Sequence, residues 1–277
     1  MFTLNSKGRL LTVSRPLIMG IINRTPDSFY TGSRYPDDQR LLEQAEKMIR
    51  EGAHWLDIGG QSTRPGAALI DEEEELQRVI GAIDLLHRQW PDIPLSVDTW
   101  YSRVAREAVA AGAAVVNDIS GGRFDPDMLP VVGSLKVPYI CMHSKGTPAT
   151  MNKDAVYEDV VKEVLDYFIR RIEDCRLAGI HDVIIDPGLG FAKTHAHNWA
   201  LLNQLPVFRI TGRPLLLGIS RKSTIYRTLG VTAEEALNGT TVLHTIGLLN
   251  GANILRVHDP REAREAVTLI MQKGSYH

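Results

Sequence analysis

Residues 182–191 read Asp182-Val183-Ile184-Ile185-Asp186-Pro187-Gly188-Leu189-Gly190-Phe191. A short β-branched run stops at a carboxylate and passes into a Pro-Gly turn. A continuously apolar run of this length is what a strand buried on both faces looks like. Working outward, the pattern recurs at Leu17–Ile22, His54–Ile58, Ile93–Val97, Ala114–Val116, Val137–Met142, Asp182–Ile185, Pro214–Ile219 and Asn253–Val257. Between these runs lie helical stretches: Asp38–Glu51, Glu72–Gln89, Ser102–Ala111, Asp125–Gly133, Ala155–Leu177, His197–Leu205, Ala233–Leu249 and Pro260–Met271. Gly52, Gly112, Gly179 and Gly251 stand where helix C-caps want glycine. Eight strand–helix alternations with no low-complexity linker predict one α/β domain over residues 1–277, a (β/α)8 TIM barrel. Phe2–Val13, with Asn5-Ser6-Lys7-Gly8 at its middle, predicts a short N-terminal hairpin.

Composition narrows the function classes. The 277 residues carry 31 basic and 33 acidic side chains, a net charge of −2, which argues against non-specific nucleic-acid binding. With 44% apolar and 23% charged residues the chain reads as globular, and no apolar run approaches the roughly 20 residues of a membrane helix. Met1–Ser14 is polar and interrupted, which predicts no signal peptide. Two cysteines, Cys141 and Cys175, without CxxC or metal-ligand spacing, point to a reducing cytoplasm, and Cys141 reads as a packing residue. The acidic run Asp71–Glu75 reads as the solvated first turn of a helix rather than a metal site.

A TIM barrel builds its active site at the C-terminal strand ends, and these ends are rich in chemistry. They carry Asn23, Asp57, Asp98, Asn117-Asp118, His143-Ser144-Lys145, Asp186, Ser220-Arg221-Lys222-Ser223 and Arg256-Val257-His258-Asp259. Each alone has a plain reading; Asp98, for example, would serve as a helix cap. Eight clusters converging on one mouth are harder to read as eight caps. Two zones separate by residue type. Asp98, Asn117, Asp186 and Lys222 would suit the amino-amide edge of a flat heterocycle, because buried polar groups need partners. Asn23, Thr63, Arg64, Arg256 and His258 would suit a diphosphate, with Asn23 an oxygen ligand for Mg2+. Phe29, Pro65 and Phe191 would give apolar walls.

Several motifs in this order resemble the dihydropteroate synthase family over essentially the whole chain. They are Asn23 with Thr25-Pro26-Asp27-Ser28-Phe29, Ser62-Thr63-Arg64-Pro65-Gly66-Ala67, Asn117-Asp118-Ile119-Ser120-Gly121-Gly122, Asp186–Phe191 and Ser220-Arg221-Lys222-Ser223. The resemblance implies joining of p-aminobenzoate to a pterin methyl diphosphate, with release of pyrophosphate and use of Mg2+. By position, Asp98, Asn117, Met142, Asp186, Phe191, Gly218, Lys222 and Arg256 would hold the pterin. Asn23, Thr63, Arg64, Arg256 and His258 would hold the diphosphate, with Asn23 on the metal. Phe29, Thr63, Pro65, Lys222 and Ser223 would frame p-aminobenzoate. Asp98, Asp186, Lys222 and Arg256 would act on the reaction itself. The family is also dimeric, and a target of sulfonamides.

The chain departs from the family pattern at three positions. Arg24 stands where a small or β-branched residue is usual, Gln61 where glutamate is usual, and Ala192 in place of a glycine. Arg24 and Gln61 keep open a pterin-binding paralogue without synthase activity. A methyltransferase acting on methyltetrahydrofolate would share the pterin set but have no use for the diphosphate clamp. Other constellations point elsewhere than to chemistry. His195 and His197 suit a helix N-terminus better than a metal pair. Ser62, Ser120 and Ser220 lack a nucleophile-elbow context, and Gly188-Leu189-Gly190 is too short for a dinucleotide fingerprint.

Overall fold

The computed structural model describes residues 2–24, 34–61, 69–147, 150 and 153–273. The chain opens on the predicted hairpin, β1 (Phe2–Ser6) and β2 (Arg9–Val13), paired antiparallel. Lys7 and Gly8 between them have φ of 51° and 88°. Two left-handed residues make the mirror-image turn that matches strand twist. Eight strands then pair in parallel: β3 (Leu17–Asn23), β4 (Trp55–Gly59), β5 (Leu95–Asp98), β6 (Val115–Asp118), β7 (Tyr139–Met142), β8 (Val183–Asp186), β9 (Leu216–Leu217) and β10 (Ile254–Val257). The sheet runs β8-β7-β6-β5-β4-β3-β10-β9. A parallel bridge between Ile185 and Leu215, the residue before β9, closes it into the predicted barrel.

The helices that cover it are α1 (Arg34–Glu51), α2 (Glu72–Gln89), α3 (Ser102–Ala110), α4 (Met128–Leu135), α5 (Val160–Leu177), α6 (His195–Asn203), α7 (Ser223–Leu229), α8 (Leu237–Leu249) and α9 (Pro260–Lys273). All four predicted cap glycines lie at positive φ, between 83° and 122°. Three predicted starts move inward for identifiable reasons. Asp159 caps α5, accepting from the Val161 and Lys162 amides at 3.0 Å, so the helix begins after it rather than at Ala155. Asp125 accepts from the Ser102 and Asp127 amides, which keeps it in the turn before α4. The segment predicted as Ala233–Leu249 begins its helix at Leu237, and the Ala233 and Glu234 carbonyls accept from Arg221 instead. Helix α7 had no counterpart among the predicted stretches.

Strand alternation sorts the barrel into two cores. Ile18, Leu56, Val97, Val116, Cys141, Ile185, Leu217 and Leu255 face outward and are buried against the helices. Met19, Trp55, Val115, Ile140, Ile184, Leu216 and Ile254 face inward near the strand starts, and the hairpin caps them with Leu4 and Val13. Two residues further along each strand, on the same face, the interior changes character.

Candidate active site

Beside Ile21 (β3), the second inward layer holds Asp57 (β4), Asp98 (β5), Asn117 (β6), Met142 (β7), Asp186 (β8), Gly218 after β9 and Arg256 (β10). Six of these seven are residues the sequence assigned to the pterin. Arg256 lies across the mouth, its Nε donating to Asp57 Oδ2 at 2.6 Å and its Nη2 to Asp98 Oδ2 at 2.7 Å. Asn117 Nδ2 donates to the same Asp57 oxygen at 3.0 Å. That bond fixes the amide, with Nδ2 turned to Asp57 and Oδ1 left as the free acceptor. Burial raises the Asp98 carboxyl above its ordinary range, although Arg256 pulls the other way. The same two carboxylates hold Arg256 firmly in its charged form.

Asp186 is buried and its Oδ1 accepts from the Gly188 amide at 2.8 Å. A Cβ at Gly218 would sit 3.8 Å from Asp186 Oδ2 and 3.7 Å from Lys222 Nζ. Any side chain there would fill the space between a carboxylate and an ammonium. Lys222, at the N-cap position of α7, reaches back to donate to the Leu189 carbonyl and lies 4.6 Å from the Phe191 ring centroid. Burial lowers its pKa to about 8, with Asp186 opposing. Met142 packs with Trp100, Ile119, Phe124 and Phe191 as an apolar wall beside these groups. A flat ligand would therefore meet acceptors, one ammonium and an apolar face together.

Asn23 ends β3 opposite Gly59, and its side chain has no hydrogen-bond partner among the described residues. His258 follows β10; its backbone amide and Nδ1 lie 3.2 and 3.1 Å from Ser220 Oγ. Ser220 thus fixes a histidine with both contacts, and the non-nucleophilic reading of this serine agrees with that. Ser223 opens α7 beside Lys222. Phe29, Thr63, Arg64 and Pro65 lie outside the described residues. The residues flanking the second of these stretches form a neck: the Ile70 amide donates to Gln61 Oε1 at 3.1 Å, and Tyr101 Oη donates to the Ile70 carbonyl at 3.0 Å. Gln61 thereby ties together the two ends of the second loop. Arg24 is half-buried, and burial lowers its pKa while Asp37 and Asp38 of α1 oppose the shift. Among the described residues no cluster of three His, Cys, Asp or Glu could hold a metal, and His197 completes a capping box with Thr194.

Two features differ from the sequence reading. Asp57 was left without a role, although it ties Asn117 and Arg256 together and is fully buried. Its signal was a carboxylate two residues after Trp55, inside an apolar strand. The acidic run is not solvated throughout. Asp71 caps α2, accepting from the Glu74 amide, and Glu72 to Glu74 pair with Arg103 or Arg78. Glu75 is fully buried, and neither of its oxygens has a hydrogen-bond partner among the described residues. Burial raises its pKa to about 8, with Thr99 and Arg78 opposing and Asp98 and Asp118 adding to it.

Fold and site together define a pterin-binding barrel, and the profile described as "Pterin binding enzyme" matches residues 19–258. The dihydropteroate synthase of Synechocystis is 45% identical over 248 residues, covering 88% of this chain and 86% of its own. The Xanthomonas albilineans dihydropteroate synthase solved with 4-aminobenzoic acid superposes with a TM-score of 0.92 at 40% identity, covering 99% of each chain. The same organism's synthase in complex with 7,8-dihydropteroate gives 0.88 at 38% identity, covering 99% of this chain and 100% of that one. The chain belongs to the dihydropteroate synthase family.

Proposed function

We propose that this chain joins p-aminobenzoate to 6-hydroxymethyl-7,8-dihydropterin diphosphate, releasing pyrophosphate, as a folate-pathway transferase. The observation that carries the reading is the inward polar layer from Asp57 to Arg256, in a barrel shared with relatives named for that reaction. The polar layer alone would serve a methyltransferase's pterin as well; the relatives named for synthesis favour the synthase over that alternative and over a non-enzymatic one.

The chemistry needs positioning and charge more than a base. The arylamine of p-aminobenzoate is neutral and nucleophilic near pH 7. As the pterin methylene–oxygen bond breaks, positive charge grows on the pterin and negative charge on the departing diphosphate. Asp98 and Asp186 face the first. Arg256 keeps its Nη1 hydrogens uncommitted among the described residues and, with His258, Thr63 and Arg64, would face the second. The new carbon–nitrogen bond then forms, and the amine proton leaves to solvent or to the pyrophosphate. Lys222 would orient the pterin from beside Phe191, and Ser223 would border the p-aminobenzoate. The donor set fits one Mg2+ only in part: Asn23 offers a single amide oxygen, so the remaining ligands would be phosphate oxygens and water. Bound there, the metal would neutralise diphosphate charge.

A homodimer, which the family resemblance implies, is part of the same proposal. Both cysteines are free and buried, in keeping with a reducing cytoplasm, and no described helix is long and apolar enough to cross a membrane. Sulfonamides, as p-aminobenzoate mimics, would compete for the p-aminobenzoate site beside Ser223. Pyrophosphate release on mixing the protein with pterin diphosphate, p-aminobenzoate and Mg2+ is the direct test. Release without p-aminobenzoate dependence, or none at all, would defeat the reading. Methyl transfer to a corrinoid would install the methyltransferase instead.

A further inference from the structure

Lys193 lies two residues beyond Phe191 and takes no part in the chemistry described above. Its Nζ lies 3.0 Å from the Phe191 carbonyl, 3.2 Å from the His143 carbonyl and 3.1 Å from His143 Nδ1. His143 follows β7, and its own amide donates to the Asp186 carbonyl at 2.9 Å. One amino group therefore joins the exits of β7 and β8. The junction is tight: a Cβ on Gly188, whose φ is +68°, would lie 2.0 Å from the His143 carbonyl oxygen. The turn it holds is also strained, because Ala192 adopts φ +48° without being glycine. Tyr157 Oη steadies that residue by donating to its carbonyl at 3.0 Å.

We propose that Lys193 is a positioning residue for the pterin, its amino group locking the β7 and β8 exits so that the Phe191 ring and the Asp186 carboxylate keep their places. The lock works in either protonation state. As an ammonium, Lys193 gives one hydrogen to each of three acceptors. As an amine, it gives two to the carbonyls and accepts the Nδ1 hydrogen of the other imidazole tautomer. This matters because burial pushes Lys193 well below the usual lysine range, with Asp186 pulling the other way. Lys193 bonds only the His143 ring and the His143 and Phe191 carbonyls, so removing it would disturb the ring and carboxylate without deleting a charge assigned to the ligand. The inference rests on the pterin reading of this pocket.

Calorimetry with 6-hydroxymethylpterin, which has no leaving group, separates the two. Wild type should bind it; failure to bind would take down the functional reading and this inference with it. Given that binding, folded Lys193→Met should bind the pterin at least about fivefold more weakly. Its KM for p-aminobenzoate, at saturating pterin diphosphate, should stay within about threefold. Pterin affinity within twofold of wild type, or an equal rise in both KM values, would overturn the proposal, since a merely stabilising lysine would change only the melting temperature. Should Lys193→Met not fold, Lys193→Gln takes its place. Its amide has donors on a shorter stem, and unchanged pterin affinity in that variant would be equally fatal.

Discussion

The two inward layers of the barrel are built on the same strands, two residues apart, and differ in almost everything else. Trp55 precedes Asp57, Val115 precedes Asn117, Ile184 precedes Asp186 and Ile254 precedes Arg256. The lower layer is apolar, closed by Leu4 and Val13 of the hairpin, and stabilises by removing area from water. The upper layer places Asp57 and Asp186 almost out of contact with water, and they stay there only because Arg256, Asn117 and the Gly188 amide answer them. Stability and chemistry are thus separated along the barrel axis. A cavity of about 390 Å3 at the lower pole, lined in part by Lys7, Lys136 and His181, gathers no comparable set: Lys7 Nζ is spent on the Val109 carbonyl and Asp182 on the Asn5 amide.

The separation makes opposite forecasts for its two halves. Trp55→Ala, in the lower layer, should cost about 3–5 kcal/mol of unfolding free energy, the usual range for a buried aromatic. Turnover at low temperature, where the protein remains folded, should stay within about threefold. Urea melts and initial rates on one preparation measure both, and a large loss of turnover in folded protein would show that the layers are not independent. Asp186→Asn, in the upper layer, should do the reverse. Unfolding should change little, because an amide oxygen still accepts from Gly188. Pterin affinity should fall by about 1.5–3 kcal/mol, or roughly 10- to 100-fold, for a lost charged hydrogen bond. Calorimetry that found undiminished affinity would remove Asp186 from the pterin set.

Glu75 belongs to neither layer and sharpens the contrast, since it is buried beneath the mouth and, among the described residues, neither carboxylate oxygen has a close hydrogen-bond partner. Its folded pKa of about 8 lies above the ordinary 4.5. Below pH 4.5 both folded and unfolded chains hold the proton, and Glu75 makes no difference to stability. Between pH 4.5 and about 8 the unfolded chain ionises while the folded one keeps its proton, so its effect is a loss of stability as pH rises. The slope approaches about 1.4 kcal/mol per pH unit for one proton. Glu75→Gln, which keeps shape and cannot ionise, should flatten that part of the stability curve by more than half. A variant whose melts fall with pH as steeply as wild type would mean that Glu75 is already charged.

How far the sequence carried this arrangement depends on what kind of signal was needed. The barrel and its outward core were legible because period and length are local properties: Leu17–Ile22 or Asn253–Val257 announce a buried strand by themselves. The upper layer was legible where a polar residue ended such a run, as at Asp98, Asn117 and Asp186. Asp57 was passed over because its meaning lies in register. Only the pairing of β3 with β4 and β10 brings it against Arg256, about 200 positions away in the chain. Glu75 was hidden for the opposite reason. Four glutamates in a row look alike, and only the packing of α2 under Gly60 decides which of them is dry; a Cβ on Gly60 would lie 3.1 Å from Glu75 Cγ. The α7 helix was missed because Ser223–Leu229 is too short to show an apolar period.

The smallest effect is expected at the neck of the second loop. Gln61 stands where the family usually has glutamate, and its Oε1 accepts from the Ile70 amide. A glutamate would present the same acceptor at the same length, so Gln61→Glu should preserve the closure of the neck. What it adds is a charge at a buried position, 6% exposed. Burial would oppose that charge, while the Ile70 amide and the Arg78 guanidinium, which donates to the neighbouring Gly60 carbonyl at 2.9 Å, would favour it. With these effects opposed, turnover should change by less than about tenfold, or about 1.4 kcal/mol. Arg24 starts at the same end of the barrel, its amide donating to the Gly59 carbonyl at 2.7 Å, and the hydrogen bonds of the polar layer among Asp57, Asp98, Asn117 and Arg256 are made without it. Wild type should therefore turn over as it stands. Steady-state rates for wild type, Gln61→Glu and the double variant Arg24→Val with Gln61→Glu decide the matter. A wild type that is silent beside an active double variant would mean that these two positions, and not the polar layer, set whether the barrel performs synthesis.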